Sequence, residues 1–135
     1  MNAPTPATIP QADPGAGYRA QKAEIDAAVA RALDSGWYIL GKEGAAFEQE
    51  FAAFTGTRHA ISLANGTLAL ELALYALDIG PGDEVITAAN TFIATAEAVA
   101  LVGAECIPVD CDPTYQLIDP LAVTLAAERF APRAI

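Results

Sequence analysis

Three consecutive residues, Asn65-Gly66-Thr67, carry the most chemical information in this sequence. Asn and Gly tolerate a sharp turn, and the apolar stretch that follows reads as a helix. The first turn of such a helix offers unpaired N–H groups and positive dipole to an anion. Thr67 adds a hydroxyl that either caps the helix or reaches a phosphate oxygen. Taken alone, Asn-Gly-Thr before a helix more often serves as a plain turn and cap.

A second candidate follows the apolar run that ends at Thr87-Ala88-Ala89 and leads through Asn90-Thr91 to Phe92. In an open α/β sheet the ligand crevice lies outside the carboxyl ends of the strands, which would bring Phe92 near the 65–67 turn. An aromatic ring there could cover the flat face of a ring cofactor. On spacing alone, Phe92 more readily staples the next helix to the core.

Other chemistry-bearing residues carry less. Gly80-Pro81-Gly82-Asp83 is turn chemistry that launches a strand. Asp110, Asp112 and Asp119 could suggest a hard-metal site, yet Asp112-Pro113 opens a turn and Asp119-Pro120 fits an N-cap followed by an N1 proline. His59, the only histidine, has no cysteine, serine or carboxylate at a diagnostic spacing. Cys106 and Cys111 lack a C-x-x-C spacing and read as half-buried free thiols. No metal site is expected.

These candidates need elements to position them. An extended arm is expected over residues 1–17, which contain four prolines and no basic residue, the wrong composition for a secretory signal. Ile25, Ala28, Val29, Ala32 and Leu33 predict an amphipathic helix over 18–34, stopped by Ser35-Gly36. The apolar run Trp37-Tyr38-Ile39-Leu40 is closed by Gly41-Lys42-Glu43-Gly44. A second helix then carries Phe47, Phe51 and Phe54 and ends at Gly56. From residue 59 strands alternate with helices: strand 59–64, helix 67–77, strand 84–88, helix 92–102, strand 105–110, a short extended piece at 115–118 and helix 119–130. This is the order of an α/β fold with a mostly parallel sheet. The helix after Thr67 is apolar nearly all round, so cover is expected on more than one side.

The composition agrees with a folded chain of one domain, at 135 residues with 53% hydrophobic content. A formal net charge of -10 opposes broad attraction to nucleic acid or anionic lipid, so any phosphate must be held locally. The most apolar stretch, 91–104, is shorter than the ~20 residues of a membrane span. A cytoplasmic protein is expected.

In order along the chain, Gly36-Trp37-Tyr38-Ile39-Leu40-Gly41, Phe47-Glu48, Asn65-Gly66-Thr67, Gly80-Pro81-Gly82-Asp83-Glu84-Val85-Ile86, Thr91-Phe92-Ile93-Ala94-Thr95 and Ile118-Asp119-Pro120 closely resemble the opening of the DegT/StrS sugar aminotransferases. The resemblance runs from about Tyr18 to Ile135. It implies the large domain of a fold-type I transferase dependent on pyridoxal 5'-phosphate (PLP), which moves an amino group, usually from glutamate, onto a nucleotide-linked keto-sugar. It implies that Asn65, Gly66 and Thr67 hold the cofactor phosphate, that Phe92 stacks on the pyridine ring, and that Trp37 and Tyr38 lie near the substrate entrance. A homodimer follows from the same likeness.

Such chemistry also needs a Schiff-base lysine and a carboxylate beside the pyridine nitrogen. The resemblance places both beyond Ile135, and neither Lys22 nor Lys42 stands where that lysine would. The chain is therefore expected to be an N-terminal fragment, inactive by itself and without catalytic residues of its own. A PLP-dependent sugar dehydratase of the same family and a non-catalytic module remain as alternatives, which the reading frame after codon 135 would separate.

Overall fold

The computed structural model describes residues 11–135, and most of the arm expected over 1–17 lies outside them. The described chain divides into two compact units, one running to Ser62 and the other Leu63–Ile135.

In the first unit, Pro14 has a φ of -58° and leads directly into helix α1, Gly15–Ala20, so helix replaces the last residues of the expected arm. Helix α2, Lys22–Ser35, follows after a break at Gln21, whose φ and ψ are -119° and 23°. One continuous helix was the expectation from apolar spacing. Gln21 is a good helix former, so the break has no signal in composition. Local side chains fasten the junction: Tyr18 Oη donates to Asp26 Oδ1 at 2.9 Å, Lys22 Nζ donates to Tyr18 Oη at 2.8 Å, and Lys22 pairs with Asp26. Of the predicted inner face, Ile25, Ala28 and Ala32 are half-buried while Val29 and Leu33 stay exposed. Helix α3, Lys42–Thr55, buries Ala52 and ends at Gly56 in the left-handed conformation, φ 72°. Phe47 and Phe51 stack with ring centroids 5.6 Å apart.

The second unit is α/β. Helix α4, Gly66–Ala76, precedes strand β1, Glu84–Ala88; helix α5, Ala94–Leu101, leads to strand β2, Glu105–Val109; and helix α6, Pro120–Phe130, follows. The strands run parallel with Glu84 opposite Glu105 and Ala88 opposite Val109. On the other side of β1, Val85 bridges Ala134 in parallel, while Arg133 N–H donates to Glu84 O at 2.8 Å and Ile86 N–H donates to Ala134 O at 3.0 Å. Arg133 and Ala134 thus lie alongside β1, joined to it by a single isolated parallel bridge. Pro108 in β2 suits a strand with β1 as its one neighbour among the described residues.

Strand alternation splits the core into two layers. Val85 points to one side and packs with Ile79, Val99 and Val102, joined by Leu74 of α4. Ile86, Ile107 and Val109 point to the other and meet Ala122, Val123, Ala126 and Phe130 of α6. Full burial of an aliphatic side chain of this size contributes about 1.5–3 kcal/mol. The sheet is therefore a sandwich filling, with α5 on one face and α6 on the other.

One expectation fails here. Residues 59–64 form no strand, because a strand exists only where a ladder partner lies alongside, and none does among the described residues. Helix α4 buries no residue; it leans on α5 and gives Leu74 to the core, but Leu70, Leu72 and Leu77 remain exposed.

Cys106 sits half-buried against the Val85 layer, and burial pushes its thiol up. Since the thiolate is the reacting form, Cys106 in a Cys111→Ser background should alkylate at neutral pH more slowly than free cysteine. A rate equal to that of free cysteine would contradict the packing.

Candidate functional site

The turn at residues 65–67 is built around a helix start. Asn65 is extended, with φ -164° and ψ 175°, and its Oδ1 accepts the N–H of Leu68 at 2.9 Å. Its carbonyl accepts the N–H of Ala69 at 3.1 Å. One of the orphan donors of the first turn is thereby satisfied by the cap. The N–H groups of Gly66 and Thr67 have no partner among the described residues. The first turn of α4 contains no acidic residue, so nothing there opposes an incoming anion.

Gly66 has no internal reason to be glycine. Its φ lies outside the left-handed region, and a Cβ placed on it meets nothing within 4 Å. The space in front of it is open, which is what close approach of a ligand to the backbone requires. Thr67 is half-buried beside it. The residues present fit a phosphate group.

Phe92 is 77% exposed, so it does not staple α5 to the core. Helix α5 begins at Ala94, two residues later than the apolar pattern suggests, and Phe92 stands ahead of it with its carbonyl accepting the N–H of Thr95 at 3.1 Å. A cleft of about 550 Å³ opens in this unit along β1, from Val85 to Ala88. Its walls are Leu70, Leu74 and Leu77 of α4, Thr87 and Ala88 of β1, and Ile118, with Asn90, Thr95 and Gln116 as polar points. Neither Phe92 nor residues 65–67 line it. Gln116 carries no sequence signal at all: it is a non-glycine residue with φ 57°, held by its N–H donating to Asp112 O at 2.8 Å.

Trp37 and Tyr38 belong to the first unit and lie on the turn between α2 and α3, 63% and 68% exposed. Both lysines of the chain are also there. Lys22 is held protonated, its pKa raised by the hydrogen bond to Asp26 and then by that to Tyr18; Lys42 opens α3. His59 lines a shallow pocket of about 220 Å³ with Glu48, Gln49 and Arg58, where Glu48 already accepts the N–H of Ser62 at 2.7 Å. Asp112 and Asp119 do what turn and cap chemistry predict. Asp112 Oδ1 accepts the N–H groups of Thr114 and Tyr115, each at 2.8 Å, and Asp119 Oδ1 accepts that of Leu121 at 2.8 Å. Among the described residues no three His, Cys, Asp or Glu gather in a metal-holding group, and no helix is long and apolar enough to cross a membrane.

The chain resembles known proteins in sequence and fold. Residues 19–135 match the DegT/DnrJ/EryC1/StrS aminotransferase family. The chain is 48% identical over 118 residues to the dTDP-3-amino-3,4,6-trideoxy-alpha-D-glucose transaminase of Streptomyces venezuelae, covering 87% of this chain and 31% of that protein. The structure of S. venezuelae DesV superposes with a TM-score of 0.85 at 46% identity, over 93% of this chain and 33% of that one. A Streptococcus pneumoniae protein solved in its PLP form gives a TM-score of 0.73 at 35% identity, over 78% of this chain and 26% of that one. The chain thus spans about a third of the length of the relatives it matches.

Proposed function

The chain belongs to the DegT/DnrJ/EryC1/StrS aminotransferase family, and from that premise we propose that it supplies the cofactor-phosphate cradle of a PLP-dependent aminotransferase acting on a nucleotide-linked keto-sugar. The observation that carries this reading is the opening of α4. There two N–H groups have no partner among the described residues, beside a glycine at which an added Cβ would meet none of them within 4 Å.

PLP, when bound, supplies the electron sink through which an amino group passes from a donor such as glutamate to a keto-sugar. The chain's own residues bind and orient. Gly66 and Thr67 donate backbone N–H groups to the phosphate, with the α4 dipole behind them, and the Thr67 hydroxyl adds a further donor. Asn65 fixes the turn through its cap to Leu68. Phe92, free of the core, offers a ring face to the pyridine, and Trp37 and Tyr38 contact the sugar nucleotide. A cytoplasmic homodimer is part of the same proposal.

The decisive assay expresses the chain extended by its downstream reading frame, supplies PLP, glutamate and a nucleotide-linked keto-sugar, and looks for the aminated sugar. No amino transfer to any such sugar would sink the proposal. For the 135-residue chain itself the expected result is different. Lys22 is tied up as a cation and Lys42 sits at a helix start. Borohydride reduction in the presence of PLP should therefore leave no single lysine stoichiometrically labelled. Stoichiometric labelling at one lysine, mapped by peptide mass, would overturn this.

A further inference from the structure

The turn between α2 and α3 is braced more heavily than a connection of this length requires. Trp37 Nε1 donates to Ile39 O at 2.7 Å, Trp37 N–H donates to Ser35 Oγ at 3.1 Å, and Tyr38 Oη donates to Leu33 O at 3.2 Å. Leu40 is held at φ 51°, a conformation that a branched residue adopts only when its surroundings impose it. The result defies burial: Ile39 is 80% and Leu40 93% exposed, beside the exposed Trp37 and Tyr38. Four consecutive apolar residues in solvent are costly, and the bonds around them fix that display rather than relieve it.

Gly41 is the keystone. Its φ of -86° and ψ of -178° suit any residue, so conformation does not demand glycine. Space does: a Cβ at Gly41 would lie 2.5 Å from the backbone oxygen of Trp37 and 3.7 Å from Trp37 Cδ1. A backbone carbonyl cannot step aside as the end of a flexible side chain can. Even alanine must therefore push residues 37 and 41 apart and open the turn that the indole hydrogen bond closes.

We propose that Gly41 is a positioning residue, whose lack of a side chain lets the turn close on the Trp37 carbonyl and so keeps the Trp37 and Tyr38 rings in a fixed outward display for the sugar-nucleotide substrate. The proposal rests on the reading of Trp37 and Tyr38 as substrate contacts given above. Gly41 touches no substrate; it acts through the turn.

Trp37 is the chain's only tryptophan, so it reports directly on the turn. Gly44→Ala is the control: a Cβ there meets nothing within 4 Å, and alanine is the better helix former inside α3. Gly41→Ala should reduce the near-ultraviolet circular dichroism of Trp37 by about half or more and lower its fluorescence anisotropy, with far-ultraviolet helix signal retained. Gly44→Ala should match wild type. Unchanged Trp37 signals in Gly41→Ala overturn the proposal. If Gly41→Ala loses its helix signal, wild-type hydrogen exchange at the Trp37 indole decides. Exchange slowed about tenfold or more relative to free indole supports the braced turn, and exchange at the free rate overturns it.

The link to substrate is read in the protein extended by its downstream reading frame. Gly41→Ala there should raise KM for the nucleotide-linked sugar about fivefold while kcat and retained cofactor hold. An unchanged KM overturns the positioning role. Absence of amino transfer in the wild type is a failure of the functional proposal instead, and leaves the Trp37 measurements readable.

Discussion

Replacing Gly66 with valine, in the chain extended by its downstream reading frame, is expected to reduce the PLP retained through gel filtration by about tenfold or more. The size follows from the donors at stake. A hydrogen bond to a charged group contributes roughly 1.5–3 kcal/mol, and a branched side chain at the mouth of α4 would hold a phosphate away from the N–H groups of Gly66 and Thr67. Loss of one such bond weakens binding about tenfold, and loss of two about a hundredfold or more. Thr67→Ala removes the side-chain hydroxyl but leaves both backbone donors, so its effect should be clearly smaller. The comparison is clean because a Cβ at residue 66 meets nothing within 4 Å and φ there is not left-handed. The valine enters open space, and it is no worse a helix former than the glycine it replaces. Cofactor absorbance per chain is the readout, with the thermal midpoint of the cofactor-free protein as the check on folding. Equal cofactor content in wild type and Gly66→Val would remove this turn from the phosphate site.

What the sequence revealed of this site, and what it hid, divides along a physical line. Features set by residues a few positions apart were legible. The Asp119 cap followed by Pro120 and the left-handed Gly56 at the end of α3 follow from local chemistry, whereas the cap of α4 falls to Asn65 rather than to Thr67. The two parallel strands were readable as apolar runs between helices. Features set through space were not. Residues 59–64 have a strand's composition, but a strand is a relation between two segments, and composition records only one of them. The break at Gln21 depends on a network of Tyr18, Lys22 and Asp26 rather than on a helix breaker. Nor could spacing separate the two readings of Phe92, which differ only in whether its ring meets the core; the structure leaves the ring in solvent. At Gly41 and Gly66 the same residue type has two different causes, a backbone carbonyl that an added Cβ would meet at 2.5 Å in one and open space in the other.

The 135-residue chain alone should be mainly associated rather than monomeric at micromolar concentration, with a light-scattering mass at least about twice its 14.0 kDa. The driving force is visible in each unit taken by itself. In the first, Phe54 is 87% and Leu40 93% exposed; in the second, Phe92 is 77% and Leu77 62% exposed. Soluble monomers rarely leave contiguous apolar patches larger than a few hundred Å² uncovered, and burial of such surface returns about 25 cal/mol per Å². Strand β2 pairs only with β1 among the described residues, so backbone groups along its other side add a template for edge-to-edge contact. Charge acts the other way, since a net charge of -10 makes copies repel. That repulsion acts over a Debye length of about 10 Å at 0.1 M salt. Raising the salt from low to moderate concentration should therefore increase association, whereas contacts made by ion pairs would weaken. The core left to resist unfolding is small: among the described residues Ile86 is the one large side chain fully buried. Thermal unfolding should accordingly be broad and depend on protein concentration. A sharp, concentration-independent melt from a strictly monomeric species would show that the exposed faces close on themselves in solution. It would favour a self-sufficient binding module over the enzyme segment proposed here.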